Sequence, residues 1–271
     1  MFENVRIGFI GGGNMGEALI KGLLGSSLLK PDQVGLVDVD SARVELLKER
    51  HGIRGYHRME DLARESRVIL LAVKPQTVPD VLSRLSGQLV GRPLVISIAA
   101  GISLAQLEDA LPDETPVIRV MPNNPALILQ GASALSRGLY VTDEQMRMAV
   151  KLFESVGIAL EVEEKCMDAV TGLSGSGPGY VFHLLEALID AGVLVGLPRA
   201  TSRELVLQTV KGAVLMAMET GKHPAELKEW ITSPGGTTIR GLQVLEERGV
   251  HGAVMSAVQA ATLRSQELGK K

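Results

Sequence analysis

The sequence predicts an α/β fold in two parts, a parallel sheet covered by helices on both faces and then an all-helical region. Over the first 160 residues, short β-rich runs alternate with helical patterns, which is typical of βαβ units. From about Glu163 strand-like runs vanish and long helical patterns take over. The glycine-rich stretch GFIGGGNMG at 8–16 joins the first strand to the first helix. We therefore predict a Rossmann-type domain at 1–163 and a helical domain at 164–271.

The first part has strands and helices in regular alternation. Its predicted strands are Val5–Ile10, Val34–Val37, Val68–Val73, Leu94–Ile98, Val117–Met121 and Ile158–Val162. Its predicted helices are Asn14–Leu24, Ser41–His51, Ser103–Ala110 and Thr142–Ser155. Gly25 and Gly52 end the first two, Ser103 begins the third, and Thr142 with Gln145 forms a capping box for the fourth.

The second part is rich in Ala, Leu, Val, Met and Gly. Its predicted helices lie near 164–172, 178–195, 199–220, 224–230, 237–248 and 250–267. Some segments, such as Ala213–Met218, are apolar over more than one face, and such helices are buried. We expect this part to bury apolar surface against a second subunit.

Composition excludes several classes of protein. The chain has 271 residues, of which 45% are hydrophobic, so it can bury a sizeable core. The net charge of -3 and the 3% aromatic content give no sign of a nucleic-acid partner. The single cysteine, Cys166, and five scattered histidines predict neither a disulfide nor a metal site. No secretory signal or membrane-spanning run is visible, so we expect a cytoplasmic protein with no membrane partner.

The strongest motif is the GxGxxG formed by Gly11, Gly13 and Gly16. The first glycine permits a tight turn, the second lets the backbone approach a pyrophosphate, and the third allows close helix–strand packing. The free N–H groups of the helix that follows would hold the phosphates. A glycine turn with no ligand is the alternative interpretation.

Asp38 ends the second predicted strand, where an acid typically binds the ribose 2′-OH of NAD and repels the 2′-phosphate of NADP. Asp40 would add to that repulsion, whereas Arg43 and Arg58 could offset it. A solvated turn or helix cap is the alternative role of Asp38.

Two further loops follow predicted strands, AVKPQ at 72–76 and SIAAG at 97–101. Ligands of doubly wound sheets bind at the carboxyl ends of the strands, so both loops are cofactor candidates. Lys74 is a cation there that could reach a phosphate or ribose, unless it is simply an exposed lysine.

The helical part carries two glycine-rich elements, at 172–182 and 232–242, each interpreted as a turn leading into a helix. In the second, Ser233, Gly235, Gly236, Thr237 and Thr238 could present hydroxyls and backbone N–H groups to a small carboxylate. Two ordinary helix N-caps are the alternative.

The predicted long helix of the second part lacks a lysine that could act as a catalytic base. Dehydrogenases of hydroxy acids need a base for the alcohol proton, often a lysine on the long helix that opens the second domain. Between Gly175 and Leu197 there is no lysine. An imine reductase does not need such a base, because its substrate nitrogen is protonated near neutral pH and the cofactor supplies the hydride.

Together the motifs resemble the pyrroline-5-carboxylate reductase family. The resemblance runs from about Ile7 to Arg264 and rests on GFIGGGNMG, AVKPQ, SIAAGI, RVMPNNPA, AVTGLSGSGPGYVF, DAGVLVGLPR and TSPGGTTIRGL in this order. It implies NADP(H)- or NAD(H)-dependent reduction of 1-pyrroline-5-carboxylate to L-proline, the last step of proline biosynthesis. It also implies a homodimer with interlocking helices and sites shared between subunits, which some members assemble into a pentamer of dimers.

The resemblance assigns the site residues. Those implied to contact the cofactor are Ile10, Gly11, Gly12, Gly13, Asn14, Met15, Val73, Lys74, Pro75, Ile98, Ala99 and Ala100, and Asp38 joins them from the strand argument. Those implied to contact the substrate are Glu164, Ser233, Gly236, Thr237 and Thr238. Thr238 is the candidate catalytic residue, and no metal is implied.

Five positions depart from the family's pattern. Asp38 and Asp40 stand where NADPH-preferring members often have Ser, Asn or Arg, and Met59 replaces an Asn that contacts the adenine ribose. Trp230 and Asn124 replace a common Asn and Thr. The choice between NADH and NADPH therefore stays open. A reductase of another cyclic imine or small hydroxy acid, and a nucleotide-binding sensor without turnover, are the alternative functions.

Overall fold

A computed structural model describes residues 2–3 and 5–269. Eight strands form one sheet in the order β3-β2-β1-β4-β5-β6-β7-β8. Their bounds are β1 Ile7–Ile10, β2 Val34–Val37, β3 Arg54–Gly55, β4 Val68–Leu71, β5 Leu94–Ser97, β6 Val117–Met121, β7 Gly131–Arg137 and β8 Gly157–Glu161. All neighbours are parallel except β6 and β7, so the predicted Rossmann-type sheet is confirmed.

Helices connect the strands and make up the rest of the chain. Those of the sheet-containing part are α1 Asn14–Gly25, α2 Ser41–His51, α3 Met59–Glu65, α4 Val78–Ser86, α5 Leu104–Asp109 and α6 Asp143–Glu154. Those that follow are α7 Met167–Val170, α8 Gly177–Leu194, α9 Arg199–Thr220, α10 Pro224–Trp230, α11 Thr237–Glu247 and α12 Val250–Gly269.

The sheet is buried on both faces because successive side chains of its central strands enter different cores. Ile7 and Phe9 of β1 pack into the core under α1 and α6, whereas Ile10 packs into the core under α3, α4 and α5. In β4, Leu70 and Leu71 divide in the same way. Strands buried on both faces read as continuous apolar runs, which is why the sequence identified them.

The structure adds elements that the sequence did not predict: β3, α3, α4 and β7. β7 has the sequence GASALSR, whose small and polar residues carry little strand propensity. It runs antiparallel to β6, and β8 is parallel to β7. The last two strands therefore run antiparallel to the other six, so the predicted parallel sheet ends in two strands of opposite direction.

The first glycine-rich element is not a turn, which corrects its interpretation. A π-helical segment, Thr171–Gly175, follows α7 and leads through Ser176 into α8. The Asn123 side chain donates a hydrogen bond to the Ser174 carbonyl at 3.0 Å. A Cβ on Gly175 would lie 2.7 Å from Cε of Met121, so any larger residue would displace the end of the Met121 side chain. π-helical turns of this kind are commonly found at functional sites.

By packing, the chain forms two units. One contains the residues up to Ser176 together with the chain from Ala260 onward, and the other contains residues 177–259. In the first, the Ser265 hydroxyl donates to the Asp168 carboxylate at 2.6 Å and ties the end of α12 to α7. The domain boundary after residue 163, drawn from sequence pattern, stays a prediction.

The second unit buries almost nothing by itself. Within residues 177–259, the only buried residue is Ser202, whose hydroxyl donates to the Ile189 carbonyl at 2.8 Å where α9 packs on α8. Large apolar side chains such as Phe182, Leu194 and Met218 are exposed. Within the described ranges, no helix combines the length and apolarity needed to cross a membrane.

Candidate active site

The glycine loop after β1 is built as the motif requires. Gly11 has φ 103°, a conformation that L side chains rarely adopt, and its N–H donates to the Val37 carbonyl at 2.8 Å. A Cβ there would lie 2.5 Å from the Ala72 carbonyl oxygen. The loop therefore turns tightly between the ends of β2 and β4, and only glycine fits.

The other two motif glycines have opposite surroundings. A Cβ on Gly16 would lie 2.7 Å from the Gly11 carbonyl oxygen, so the start of α1 packs directly on the loop. A Cβ on Gly13 would meet no atom within 4 Å. Gly13 is the N-cap of α1, whose first-turn N–H groups have no partner within the helix. This open cradle fits a pyrophosphate.

Asp38 lies directly beyond β2 and is hydrogen-bonded to the glycine loop. Its Oδ2 accepts from the Gly12 N–H at 2.6 Å and its Oδ1 accepts from the Asp40 N–H at 2.9 Å. A carboxylate has about four lone-pair sites, so Asp38 can still accept a ribose hydroxyl. Asp40 caps α2 by accepting from the N–H groups of Ala42 and Arg43.

A cluster of charges joins α1 and α2 beside the loop. Arg43 donates from Nε to the Gly12 carbonyl at 2.6 Å and from Nη2 to Glu17 at 2.5 Å. Arg50 and His51 contact the other oxygen of Glu17. Burial raises the pKa of Glu17, but the hydrogen bonds from Arg43, Arg50 and His51 outweigh it and bring the pKa to about 2.

The remaining cofactor candidates follow β4 and β5. Because β4 pairs with both β1 and β5 in parallel, the loops at 73–75 and 98–100 leave the same edge of the sheet as the glycine loop. Lys74 is exposed and precedes a short 3₁₀ helix, Pro75–Thr77. Ala99 is buried, and its N–H donates to the Ser97 hydroxyl at 3.3 Å. The structure thus brings the predicted cofactor residues together along one edge.

Glu164 has two partners in the first unit. Its Oε1 accepts from the Leu104 N–H at 2.6 Å and from Arg119 Nη1 at 3.1 Å. Arg119 is buried in β6 and is not among the site residues predicted from the sequence. A charged residue within the apolar run VIRVM was the signal that could have found it.

The second glycine-rich element, in the second unit, is a turn between α10 and α11. Gly235 has φ 69°, and the Gly236 N–H donates to the Ser233 carbonyl at 3.0 Å. A Cβ on Gly236 would lie 2.3 Å from the Ser233 hydroxyl oxygen, so a side chain there would force this hydroxyl to turn away. Gly236 is the N-cap of α11, and Thr237 and Thr238 form its first turn.

That turn gathers four of the five predicted substrate residues, Ser233, Gly236, Thr237 and Thr238, whereas Glu164 belongs to the first unit. The Gly236 N–H already has a backbone partner, whereas the first-turn N–H groups of α11 have none within the helix. Trp230 ends α10 just before the turn and lies half exposed with Lys222 Nζ 4.7 Å from its ring centre. Among the described residues, no three His, Cys, Asp or Glu side chains gather as metal ligands would.

Two family models match the chain. Residues 164–268 match the model described as pyrroline-5-carboxylate reductase dimerisation. Residues 6–101 match the one described as NADP oxidoreductase, coenzyme F420-dependent.

Relatives that match over the full length of the chain include pyrroline-5-carboxylate reductases from different organisms. The chain is 48% identical over 269 residues to the pyrroline-5-carboxylate reductase of Methanosarcina acetivorans, covering 99% of this chain and 100% of that protein. It is 40% identical to that of Escherichia coli, covering 98% of each.

Solved structures agree with this similarity. A pyrroline-5-carboxylate reductase from Coxiella burnetii superposes with a TM-score of 0.95 at 33% identity, covering 99% of this chain and 100% of that one. A Plasmodium falciparum pyrroline carboxylate reductase with NADP bound gives 0.88 at 36% identity, again covering 99% and 100%. The chain therefore belongs to the pyrroline-5-carboxylate reductase family.

Proposed function

We propose that this protein reduces 1-pyrroline-5-carboxylate to L-proline with NADH or NADPH, the last step of proline biosynthesis. The observation that carries the proposal is the open cradle at Gly13 in a chain that matches enzymes of that name over its full length. The nucleotide-binding domain would be 1–163, and 164–271 would serve dimerisation and substrate binding.

The cofactor would lie along the edge of the sheet where the strands end. Residues Ile10 to Met15 would hold the pyrophosphate, Asp38 the adenine ribose, and the loops at 73–75 and 98–100 the nicotinamide half. When bound, the reduced nicotinamide supplies a hydride. Val73, Pro75, Ile98 and Ala99 offer it largely apolar surroundings that exclude water.

The amino end of α11 would hold the substrate. The hydroxyls of Ser233 and Thr238 and the N–H groups of Thr237 and Thr238 suit a carboxylate, which the positive end of the helix also favours. Gly236 would let Ser233 approach this end, and its own N–H would hold the turn. An aliphatic hydroxyl is too weak an acid to protonate an imine, so Thr238 would act by binding and orienting.

Glu164 would position the substrate. Its carboxylate is fixed by the Leu104 N–H and by Arg119, which suits orientation of a cationic imine nitrogen, directly or through water. We also propose a homodimer that assembles further into a pentamer of dimers. A cytoplasmic location fits an enzyme that uses the intracellular NAD(P)H pool.

The direct test follows NAD(P)H absorbance with and without 1-pyrroline-5-carboxylate. We expect oxidation of the cofactor only with this substrate, with proline as the product. Faster turnover of another cyclic imine or of a small keto acid would favour the alternative reductases. Binding of the nucleotide with no turnover would favour a sensor.

Replacing Thr238 by Ala tests where the substrate lies. A hydrogen bond to a charged partner contributes about 1.5–3 kcal/mol, so kcat/KM should fall roughly ten- to a hundred-fold. Cofactor affinity should stay unchanged, because the contact is with the substrate. Thr220→Ala is the control, since the described contacts of that hydroxyl are with the backbone alone: it donates to the Met216 carbonyl and accepts from the Lys222 N–H. Wild-type kcat/KM, or a loss mainly of cofactor affinity, would contradict this placement.

A further inference from the structure

The arginine beside the ribose end of the cofactor cradle is already engaged within the protein. Arg43 follows β2 by a few residues and binds the carbonyl of Gly12, the residue whose N–H donates to Asp38. We propose that Glu17 is a specificity-determining residue: it holds Arg43 away from a 2′-phosphate, so that this protein favours NADH over NADPH. The inference rests on the proposed function, because it assumes that the cradle binds a dinucleotide.

The contacts fix Arg43 from two sides. Its Nε donates to the Gly12 carbonyl at 2.6 Å and its Nη2 to Glu17 at 2.5 Å. Both charged side chains are largely buried, with 22% and 20% exposed. An ion pair with this little exposure is held more firmly than a surface pair, whose partners reorient freely. Arg43 would have to break it to turn toward a ligand.

The acidic residues that follow β2 make NADPH binding depend on whether Arg43 is available. A 2′-phosphate would meet the carboxylates of Asp38 and Asp40, so binding it requires a nearby cation. Arg43 is held in an ion pair with Glu17 and in a hydrogen bond to the Gly12 carbonyl. Arg58, the other candidate in the sequence, is a surface residue whose Nε lies 3.5 Å from the Glu60 carboxylate. Unlike Arg43, it has no described contact with the glycine loop. The 2′-hydroxyl of NADH, in contrast, can donate to Asp38.

The Glu17 carboxylate stays charged across the physiological range. Burial raises its pKa, and the hydrogen bonds from Arg43, Arg50 and His51 more than reverse that effect, to about 2. The pair with Arg43 is therefore present at any pH at which the enzyme would work. Arg50 and His51 hold the other carboxylate oxygen, which keeps Glu17 in place.

The test measures dissociation constants of NADH and NADPH by fluorescence titration of the full-length protein, without substrate. In Glu17→Gln, Arg43 loses its charged partner and can pair with the 2′-phosphate. We expect NADPH affinity to rise about ten-fold relative to NADH, the gain of one charge-assisted hydrogen bond. NADH binding should persist, which also shows that the variant folds.

Two comparisons separate the release of Arg43 from a general change of charge. Glu45→Gln also removes one negative charge, from α2, where the described ion pair of Glu45 is with Lys48 at the surface. This variant should leave the ratio of the NADPH and NADH dissociation constants unchanged. The double variant Glu17→Gln/Arg43→Ala should lose the gain in NADPH affinity.

Three results would overturn the inference alone: a wild type that prefers NADPH, an unchanged ratio in Glu17→Gln, or a gain that persists without Arg43. A wild type that binds neither nucleotide would overturn the proposed function as well.

Discussion

At the scale of single residues, the three glycines of the motif differ in why the fold needs them, and the fold does not need one of them. Gly11 is needed for its backbone conformation and Gly16 for the close approach of α1 to the loop. Gly13 has neither restriction, since its φ is −63° and its Cβ position is open. At the N-terminus of a helix that follows a sheet strand, this open position leaves room for the phosphates of a dinucleotide.

Gly13→Val should therefore separate binding from folding. The side chain fits the protein alone but occupies the space of the pyrophosphate, and such overpacking costs about 1–3 kcal/mol. NAD(P)H affinity should fall about ten- to a hundred-fold, with little change in melting temperature.

Gly25→Val is the matched control, because Gly25 lies at the other end of α1 and its Cβ position is also open. It should leave cofactor affinity unchanged. Unchanged affinity in Gly13→Val would remove the loop from the cofactor site.

At the scale of elements, α1 and α2 are joined by charges rather than by apolar packing alone. Glu17 near the start of α1 contacts Arg43, Arg50 and His51 of α2. These contacts favour the ionised carboxylate and hold the pKa of Glu17 at about 2, below its ordinary value of 4.5. A carboxylate whose pKa is lower in the folded state stabilises the protein fully at pH values above its ordinary pKa. That stabilisation is lost as the pH falls toward the lowered pKa, because the unfolded state binds the proton first.

This predicts a pH dependence of stability that Glu17→Gln weakens. Between pH 5 and pH 3, the wild type should lose about 1–2 kcal/mol more of its free energy of unfolding than the variant. Urea unfolding at fixed protein concentration measures the difference. Glu45→Gln should behave like the wild type, since exposed pairs contribute little. Parallel pH profiles of wild type and Glu17→Gln would contradict the assigned contacts.

At the scale of the whole molecule, the large apolar side chains that the chain leaves exposed are concentrated in one unit. In residues 177–259 only Ser202 is buried, and many of the exposed side chains are large and apolar, among them Phe182, Val195 and Met218. Apolar surface of this extent is typical of subunits that bury it in an obligate oligomer.

We therefore expect no stable monomer. Light scattering coupled to size exclusion should give at least twice the chain mass at micromolar concentration, with activity in that fraction. Dilution that yields active monomers would contradict the expected obligate assembly. A mass ten times that of the chain would support the proposed pentamer of dimers.

The sequence by itself determined the features that depend on local chemistry. The bounds of β2, β6 and α2 are confirmed, and Ser103 and Thr142 cap α5 and α6 as predicted. Apolar runs and capping residues act within a few positions of the chain, so they are readable without a fold. The glycine pattern was readable for the same reason, whereas the substrate assignments came from the resemblance and stay predictions.

Only the tertiary structure decided the features that depend on residues distant in sequence. It turned β7 against β6, paired Glu164 with Arg119, and engaged Arg43 with Glu17. The sequence had left Arg43 available to offset the charge of Asp38. Hydrogen bonds and ion pairs form between whichever groups folding brings within about 3 Å, and no local pattern records those neighbours.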